Sequence, residues 1–161
     1  MMKYLFVLVL FFQGCSKKET VYQDKYNFNN YTWNHSEIIE FDFNITNNEI
    51  NHEIYFHITY SDYLYRNIIF FSSLYKDTIL INKDTVNIDL FDKYGKPKGK
   101  GMTELKKLTY RTNKIYNFKT QGAYRLRIQQ SFRVGNTNRL DSLVSLRSLG
   151  FEIKQNKYEN E

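Results

Sequence analysis

The chain has 161 residues, a formal net charge of +6 and an aromatic content of 17%, with one proline and one cysteine. The length is that of one domain, and a single cysteine excludes a framework of intrachain disulfides. Because the basic residues are scattered singly along the chain, composition argues against a nucleic-acid-binding protein.

The first fifteen residues have the pattern of an export signal. Lys3 is followed by an unbroken apolar run at residues 4–12 and then by Gln13, Gly14 and Cys15. Such a run spans only about 14 Å as a helix, against about 30 Å for the core of a bilayer. It is therefore typical of a signal peptide rather than of a membrane span.

The end of this run resembles the bacterial lipobox, in which a small residue precedes a cysteine that becomes acylated. Gly14 fits the small residue and Cys15 is the only cysteine, whereas Phe12 and Gln13 depart from the usual leucine and small residue. An ordinary secretory signal with an incidental cysteine is the alternative. A lone exported thiol has no disulfide partner, which favours the lipobox. We expect cleavage between Gly14 and Cys15 and a covalent diacylglycerol and acyl lipid on Cys15, with no other cofactor.

These features divide the chain into four segments. Residues 1–14 are predicted to be a lipoprotein signal peptide and residues 15–30, which are polar and lack periodicity, a flexible lipid-anchored tether. The globular body is predicted at residues 31–155. Residues 156–161 are predicted to be a polar tail that frays.

The first half of the body predicts strands. Residues 41–45 and 54–60 alternate apolar and polar side chains, which indicates two strands with one buried face each, joined as a hairpin across Asn47-Asn48. The apolar stretch at residues 68–71 predicts a strand covered on both faces. Residues 78–82 and 85–90 are predicted to be two separate short strands.

The second half begins with an irregular segment. Residues 92–101 contain three of the seven glycines and the only proline, but their spacing does not match a phosphate-binding loop. We expect a basic flexible loop, with an anion or lipid-headgroup contact as the alternative. Residues 102–112 favour strand and helix equally. Further strands are predicted at residues 115–119, 123–132 and 143–153, the last interrupted at Gly150, with a loop at 136–141. In the second of these, alternate residues from 124 to 132 are expected to form the inward face.

Together, seven to nine short strands without intervening amphipathic helices predict an all-β fold. The expected architecture is an antiparallel β-sandwich.

Several segments, taken in order, carry a family resemblance: Trp33 with residues 41–45, residues 63–67, 77–79, Asp89-Leu90 with Gly95, Gly99-Lys100-Gly101, residues 122–126 with 129–133, and residues 149–153. Together they resemble the gliding motility lipoprotein family GldH. Leu64 stands where that family often has proline, and residues 96–98 lack the aromatic residue that often precedes the Gly-Lys-Gly. The resemblance implies an outer-membrane lipoprotein that is needed for gliding and linked to the secretion of surface adhesins, and it implies no enzymatic activity.

No catalytic constellation is apparent in the sequence. His52 and His57 are five residues apart, so on a strand they point to opposite faces and cannot share a metal. We interpret them as surface or turn histidines. Glu40 and Asp42 are interpreted as a solvated pair rather than as a catalytic one. The expectation is a protein that is not an enzyme and has no metal site.

The remaining hypothesis concerns partners. The expected partners are the membrane, which the lipid anchor contacts, and other cell-envelope gliding proteins; nucleic acid is not expected. Lys17 and Lys18 favour a location at the periplasmic face of the outer membrane. An exposed strand face or edge is expected to make the protein contact. The alternative is a sandwich that binds carbohydrate or a small ligand by stacking on Trp33 and exposed tyrosines. The candidate partner contacts are Tyr63, Tyr65, Lys98, Lys100, Arg125, Arg127 and Arg133.

Overall fold

The computed structural model describes residues 19–135 and 138–156. The predicted signal peptide, Gly14, Cys15 and the tail from residue 157 lie outside these residues. The only helical segment within them is a 3-10 turn at Asn29–Tyr31. The strands are β1 (Thr20–Asn27), β2 (Thr32–Asn34), β3 (Ile38–Ile45), β4 (Asn51–Tyr60), β5 (Asn67–Lys76), β6 (Ile79–Asp89), β7 (Lys106–Tyr116), β8 (Gly122–Gln130), β9 (Arg133–Val134), β10 (Asn138–Arg139), β11 (Ser142–Val144) and β12 (Leu146–Asn156).

Eight long strands form two four-stranded antiparallel sheets. The first sheet has the order β1-β12-β4-β7 and the second the order β3-β8-β5-β6. Two small ladders, β2 with β11 and β9 with β10, complete the pairing. This arrangement confirms the predicted all-β antiparallel sandwich.

The core lies between the two sheets and is built from alternate residues of each strand. Residues 41, 43 and 45 of β3 and residues 54, 56 and 58 of β4 are buried, which confirms the alternation predicted for both strands. The inward face predicted for residues 124–132 is also confirmed. Trp33 has no exposed surface and donates from Nε1 to the carbonyl of Glu37 (3.1 Å).

The predicted hairpin of residues 41–45 and 54–60 is wrong. β3 pairs with β8 in the second sheet, whereas β4 lies between β12 and β7 in the first. The two strands therefore belong to opposite sheets instead of sharing hydrogen bonds, and β3 packs across the core on β1 and β12. Alternation specifies which face of a strand is buried, but it does not specify the neighbouring strand.

β5 and β6 also differ from expectation. β5 is buried on one face only: Ile68 and Phe70 are inside, whereas Phe71 is 37% exposed. The segments predicted as two strands at residues 78–82 and 85–90 form one continuous strand, β6, because all of it pairs with β5 apart from a bulge that leaves Ile81 unpaired.

Residues 102–112, for which helix and strand were equally favoured, contain the start of strand β7. The last strand region is interrupted at Ser145, which has a φ of 67°, and not at Gly150. Gly150 lies inside β12. A Cβ at this position would come within 3.2 Å of the Cβ of His57, so the position favours glycine.

The prediction of a flexible tether is wrong over residues 20–27. These residues form β1, an edge strand that pairs with β12 along its length. Tyr22 and Tyr26 pack against the core, while alternate residues are exposed. The polar sequence reflects an edge strand with one solvated face, and the body begins at Thr20 rather than at residue 31.

The sandwich has two distinct ends. One row of paired residues crosses the first sheet from Thr20 through Lys154 and Glu53 to Ile115. This row lies near the proximal end, where the chain enters from Cys15 and where loops 46–50 and 117–121 and the turn at 77–78 are located. The distal end carries the segments 61–66, 91–105 and 131–135.

Candidate functional site

The two tyrosines predicted as exposed partner contacts belong to the core. Tyr63 is 5% exposed, and burial raises the pKa of its hydroxyl. Its ring lies 5.7 Å from that of Tyr65, which in turn packs 4.7 Å from Phe132. The residue between them, Leu64, is 77% exposed. The prediction that Tyr63 is an exposed contact is therefore wrong, and Tyr65 is half-buried.

Lys98 and Lys100 lie on the exposed surface of the distal loop, as expected, but this loop is held by many hydrogen bonds. The Nζ atom of Lys98 donates to Asp89 (3.2 Å), and Lys100 exchanges two backbone hydrogen bonds with Lys107 (2.9 and 2.8 Å). Backbone N–H groups of Lys96 and Tyr94 lower the pKa of the Asp92 carboxyl below its ordinary value. The expectation of a flexible loop does not fit these contacts.

The predicted arginine contacts are separated in space. Arg125 and Arg127 lie on the outer face of the second sheet, where Arg125 Nε contacts Asp42 (2.6 Å) and Arg127 Nε contacts Glu40 (2.8 Å). Arg133 is exposed in β9 at the distal end. Because cross-strand carboxylates offset both arginine charges, this face is less basic than its arginines alone indicate.

A groove of about 810 Å³ lies on the outer face of the first sheet, toward the distal end. We call it the distal groove. Its lining includes small residues of neighbouring strands, namely Thr59 of β4 and Ser148 and Gly150 of β12, with Ser61 directly after β4. Side chains of this size leave a depression between the taller residues on either side.

The walls of the distal groove carry cations. Paired rows run from Lys25 across Gly150 to His57, and from Asn27 across Ser148 and Thr59 to Lys107. Arg147 lines the groove as well; its guanidinium lies 3.4 Å from the centre of the Tyr31 ring and donates to Ser61 Oγ (3.3 Å). Among the described residues, no carboxylate forms an ion pair with Lys25, Lys107 or Arg147. Asp24 and Glu104 are the acidic residues of the lining.

The proximal side of the groove ends at a buried charge cluster. His57 Nε2 lies 2.9 Å from Glu152, whose carboxylate also accepts from Thr20 (3.1 Å) and contacts Lys154 (3.2 Å). Burial raises the pKa of Glu152, but the hydrogen bonds from His57, Lys154 and Thr20 together lower it below its ordinary value. This cluster holds His57 against the groove.

The opposite wall depends on one glycine. Gly101 has a φ of 150°, and a Cβ there would lie 2.2 Å from the carbonyl oxygen of Leu105. The close approach turns the chain so that Thr103, Glu104 and Leu105 line the groove. Sequence reasoning missed the whole groove; an isolated glycine inside a strand pattern, here Gly150, was the signal that could have indicated a close backbone approach.

A second cavity of about 200 Å³ opens between the edge strands β6 and β7. Its inner wall is apolar, with residues such as Phe56, Leu74 and Leu126. Asp84 projects into it from β6 and contacts Lys114 and Tyr116. A charged side chain that points inward from an edge strand discourages pairing with another strand.

The comparison with protein families identifies the chain. The family model described as GldH lipoprotein matches residues 20–153. This chain belongs to the GldH lipoprotein family. The match begins at the first residue of β1, in agreement with the boundary of the sandwich. Membership in GldH indicates a membrane-anchored protein of the cell envelope.

Other comparisons add little to the GldH assignment. A search of curated proteins found no match. A structure of infectious bursal disease virus, Gx strain, is similar at 14% identity and a TM-score of 0.38, over 88% of this chain and 32% of the other. The dimeric latent PorU of Porphyromonas gingivalis is similar at 13% identity and a TM-score of 0.33, over 88% and 14%. The chain thus spans at most a third of these structures, and TM-scores this low carry no functional information.

The GldH body offers little for the alternative predicted from its aromatic residues. Trp33 is buried between the sheets and cannot stack on a sugar ring. Within the described part of the chain, no Phe, Tyr or Trp lines the distal groove. His52 is 1% exposed and packs 5.1 Å from Phe118, so its interpretation as a surface histidine is wrong; burial lowers the pKa of its imidazole. His52 and His57 do lie on opposite faces of β4.

The described part of the chain has neither a metal-binding cluster nor a membrane-spanning helix. No group of three or more His, Cys, Asp or Glu side chains there could hold a metal ion. None of its helices is long and apolar enough to span a bilayer.

Proposed function

We propose that this GldH lipoprotein is a non-enzymatic interaction component of the gliding machinery, linked to the secretion of surface adhesins. The family match over residues 20–153 carries the proposal. Cys15, the lone cysteine, receives the lipid and holds the body at the periplasmic face of the outer membrane.

The distal groove supplies the docking surface. It lies on the half of the body remote from Thr20 and combines hydrogen-bonding side chains with Lys25, Lys107 and Arg147. A groove with an excess of unpaired cations fits an extended polar segment of net negative charge. Its partner in this proposal is an acidic segment of another envelope protein of the gliding machinery.

The test is complementation of a deletion strain, scored by colony spreading and by delivery of adhesins to the cell surface. The native gene restores both, whereas Cys15→Ala restores neither because the protein is released from the membrane. Normal spreading without the gene would overturn the assignment to gliding. Mass spectrometry of the native protein tests the lipid on Cys15 directly.

The groove is tested by a double charge reversal, Lys25→Glu with Lys107→Glu, in the same strain. A matched control reverses Lys93 and Lys96, which are exposed at the same end of the sandwich but outside the groove. We expect the groove variant to be expressed and anchored but to fail in spreading, while the control spreads normally. Equal spreading of the two variants would refute docking through the groove.

A further inference from the structure

Exposed apolar side chains on two edge strands, β6 and β7, lie at the proximal end of the sandwich. Ile79, Leu80 and Ile81 of β6 are 69%, 48% and 50% exposed, and Ile115 of β7 is 53% exposed. We call these four residues the apolar tip. Three consecutive exposed apolar residues in a strand are unfavourable in water unless another surface covers them.

The local structure of β6 explains how three neighbours all become exposed. Leu74 pairs with Asn82 and Tyr75 with Leu80, so Ile81 is the extra residue of a β-bulge. The bulge breaks the inward-outward alternation next to the turn at Asp77 and Thr78. Bulges of this kind commonly re-aim side chains near functional surfaces.

The apolar tip lies at the same end of the sandwich as the point at which the chain leaves for Cys15, with Ile79, Leu80 and Ile81 in the second sheet on the edge remote from β1. Ile115 is in the same row as Thr20, three strand spacings away, which corresponds to about 14 Å. Cys15 is five residues before Thr20, so the Cα atoms of the two residues can be at most about 18 Å apart. A tether of this length keeps the proximal end next to the membrane, unlike the longer tether that the sequence predicted.

The charges around the tip suit an anionic lipid surface. Lys83 and Lys119 are exposed beside it, and Lys17 and Lys18 lie in the segment that leads to Cys15. Lys114 is paired with Asp84. Among the described residues, the exposed acidic residues of this end are Asp77, Glu49 and Glu19. The sequence that follows β12 adds Lys157, Glu159 and Glu161. The lysines can extend along the apolar surface toward lipid phosphates while the isoleucines enter the headgroup region.

We propose that the apolar tip inserts into the headgroup region of the membrane that holds Cys15, as a second and noncovalent contact. The contact orients the sandwich so that the distal groove faces away from the bilayer. This inference rests on the proposed lipid anchor at Cys15, but it does not depend on a role in gliding. A second copy of the chain, paired through the free edges of β6 and β7, is the competing occupant.

The first experiment uses the full mature chain with Cys15→Ala, which removes the anchor and leaves only the noncovalent contact. Its co-sedimentation is measured with vesicles of phosphatidylethanolamine and phosphatidylglycerol, and with phosphatidylcholine alone. The double variant Ile79→Ser/Ile81→Ser is compared with Leu64→Ser, an exposed apolar residue at the distal end. We expect the tip variant to bind the anionic vesicles about tenfold more weakly and Leu64→Ser to bind as the parent does.

A second experiment uses the lipidated protein, because acylation of Cys15 leaves an introduced cysteine as the only free thiol. An environment-sensitive fluorophore is placed at residue 79 or at residue 64 of protein anchored in vesicles that contain brominated lipid. Quenching at residue 79 but not at residue 64 is the expected result.

Three outcomes would overturn the proposal: equal quenching at the two positions, absence of vesicle binding by the parent chain, or concentration-dependent dimerisation that Ile79→Ser/Ile81→Ser abolishes without any vesicle binding. None of these readouts requires motility, so failure of the membrane contact is distinguishable from failure of the proposed function. The lipid on Cys15 is verified separately by mass spectrometry.

Discussion

The imidazole of His57 and the carboxylate of Glu152 form a contact of 2.9 Å on the outer face of the first sheet, where Glu152 is only 4% exposed. The two residues lie on adjacent strands, β4 and β12, at the boundary between the buried charge cluster and the distal groove. A carboxylate so far from solvent requires partners, and His57, Lys154 and Thr20 provide them.

The lowered pKa of Glu152 predicts an acid-dependent loss of stability. A carboxyl whose pKa is lower in the folded than in the unfolded state stabilises the fold above its unfolded pKa, and this contribution is lost as the pH falls through the folded pKa. We expect the free energy of unfolding in urea to fall more steeply with acidification below about pH 5 in the wild type than in Glu152→Gln. Glu104→Gln, at an exposed residue, is the control and should retain the wild-type slope.

Tyr63 and Leu64 are adjacent in sequence but differ in burial. Tyr63→Ala removes a buried ring that packs beside Tyr60 and Tyr65, and we expect it to lower the free energy of unfolding by about 3–5 kcal/mol. Leu64→Ala should change it by less than about 0.5 kcal/mol, because the side chain is 77% exposed. Urea unfolding followed by circular dichroism measures both. Similar values for the two variants would contradict the placement of Tyr63 in the core.

Substitutions at Gly95 and Gly101 distinguish the cost of backbone strain from the cost of a steric clash. Gly95 has a φ of 80° and open space around it, so Gly95→Ala should cost about 1 kcal/mol from the left-handed conformation alone. Gly101→Ala also places a Cβ against the carbonyl of Leu105 and should cost about 2–3 kcal/mol. Hydrogen exchange should show loss of protection in the Lys100–Lys107 backbone pair only in the second variant.

Substitution of Asp84 tests whether its carboxylate prevents the exposed edge strands β6 and β7 from pairing with another chain. Burial raises the pKa of Asp84, but hydrogen bonds from Lys114 and Asn82 lower it overall, so the group is charged at neutral pH. Asp84→Val removes the inward-pointing charge from the edge strand and should produce dimers or larger species in analytical ultracentrifugation. Thr85→Val, on the exposed face of the same strand, is the control. A monomeric Asp84→Val protein would contradict a protective role of this carboxylate.

Much of the strand content followed from the sequence alone. Period-two alternation correctly predicted the buried faces of β3, β4 and β8, because every strand of a sandwich must bury one side. The predicted resemblance to the GldH family is confirmed by the family match. The export signal and the lipidation of Cys15 stay predictions, since they fall outside the described residues.

The pairing of those strands was decided only by the tertiary structure. Alternation is a local property of the sequence, whereas β3 pairs with β8 and β4 pairs with β12 across long sequence separations. The residues of one strand therefore do not specify which strand will pair with it. For the same reason the polar sequence of β1 concealed a strand that is ordered by its pairing with β12. Tyr63 is buried because Tyr60 and Tyr65 pack beside it, a contact that composition does not specify.

The candidate surfaces also exist only in the assembled sheets. The distal groove requires small residues of β4 and β12 to lie side by side, and the apolar tip requires a bulge in β6 near the end of β7. The sequence by itself determined which residues can be buried and which resemble a known family. The tertiary structure decided which of them meet, because hydrogen bonding between distant strands sets their register and proximity.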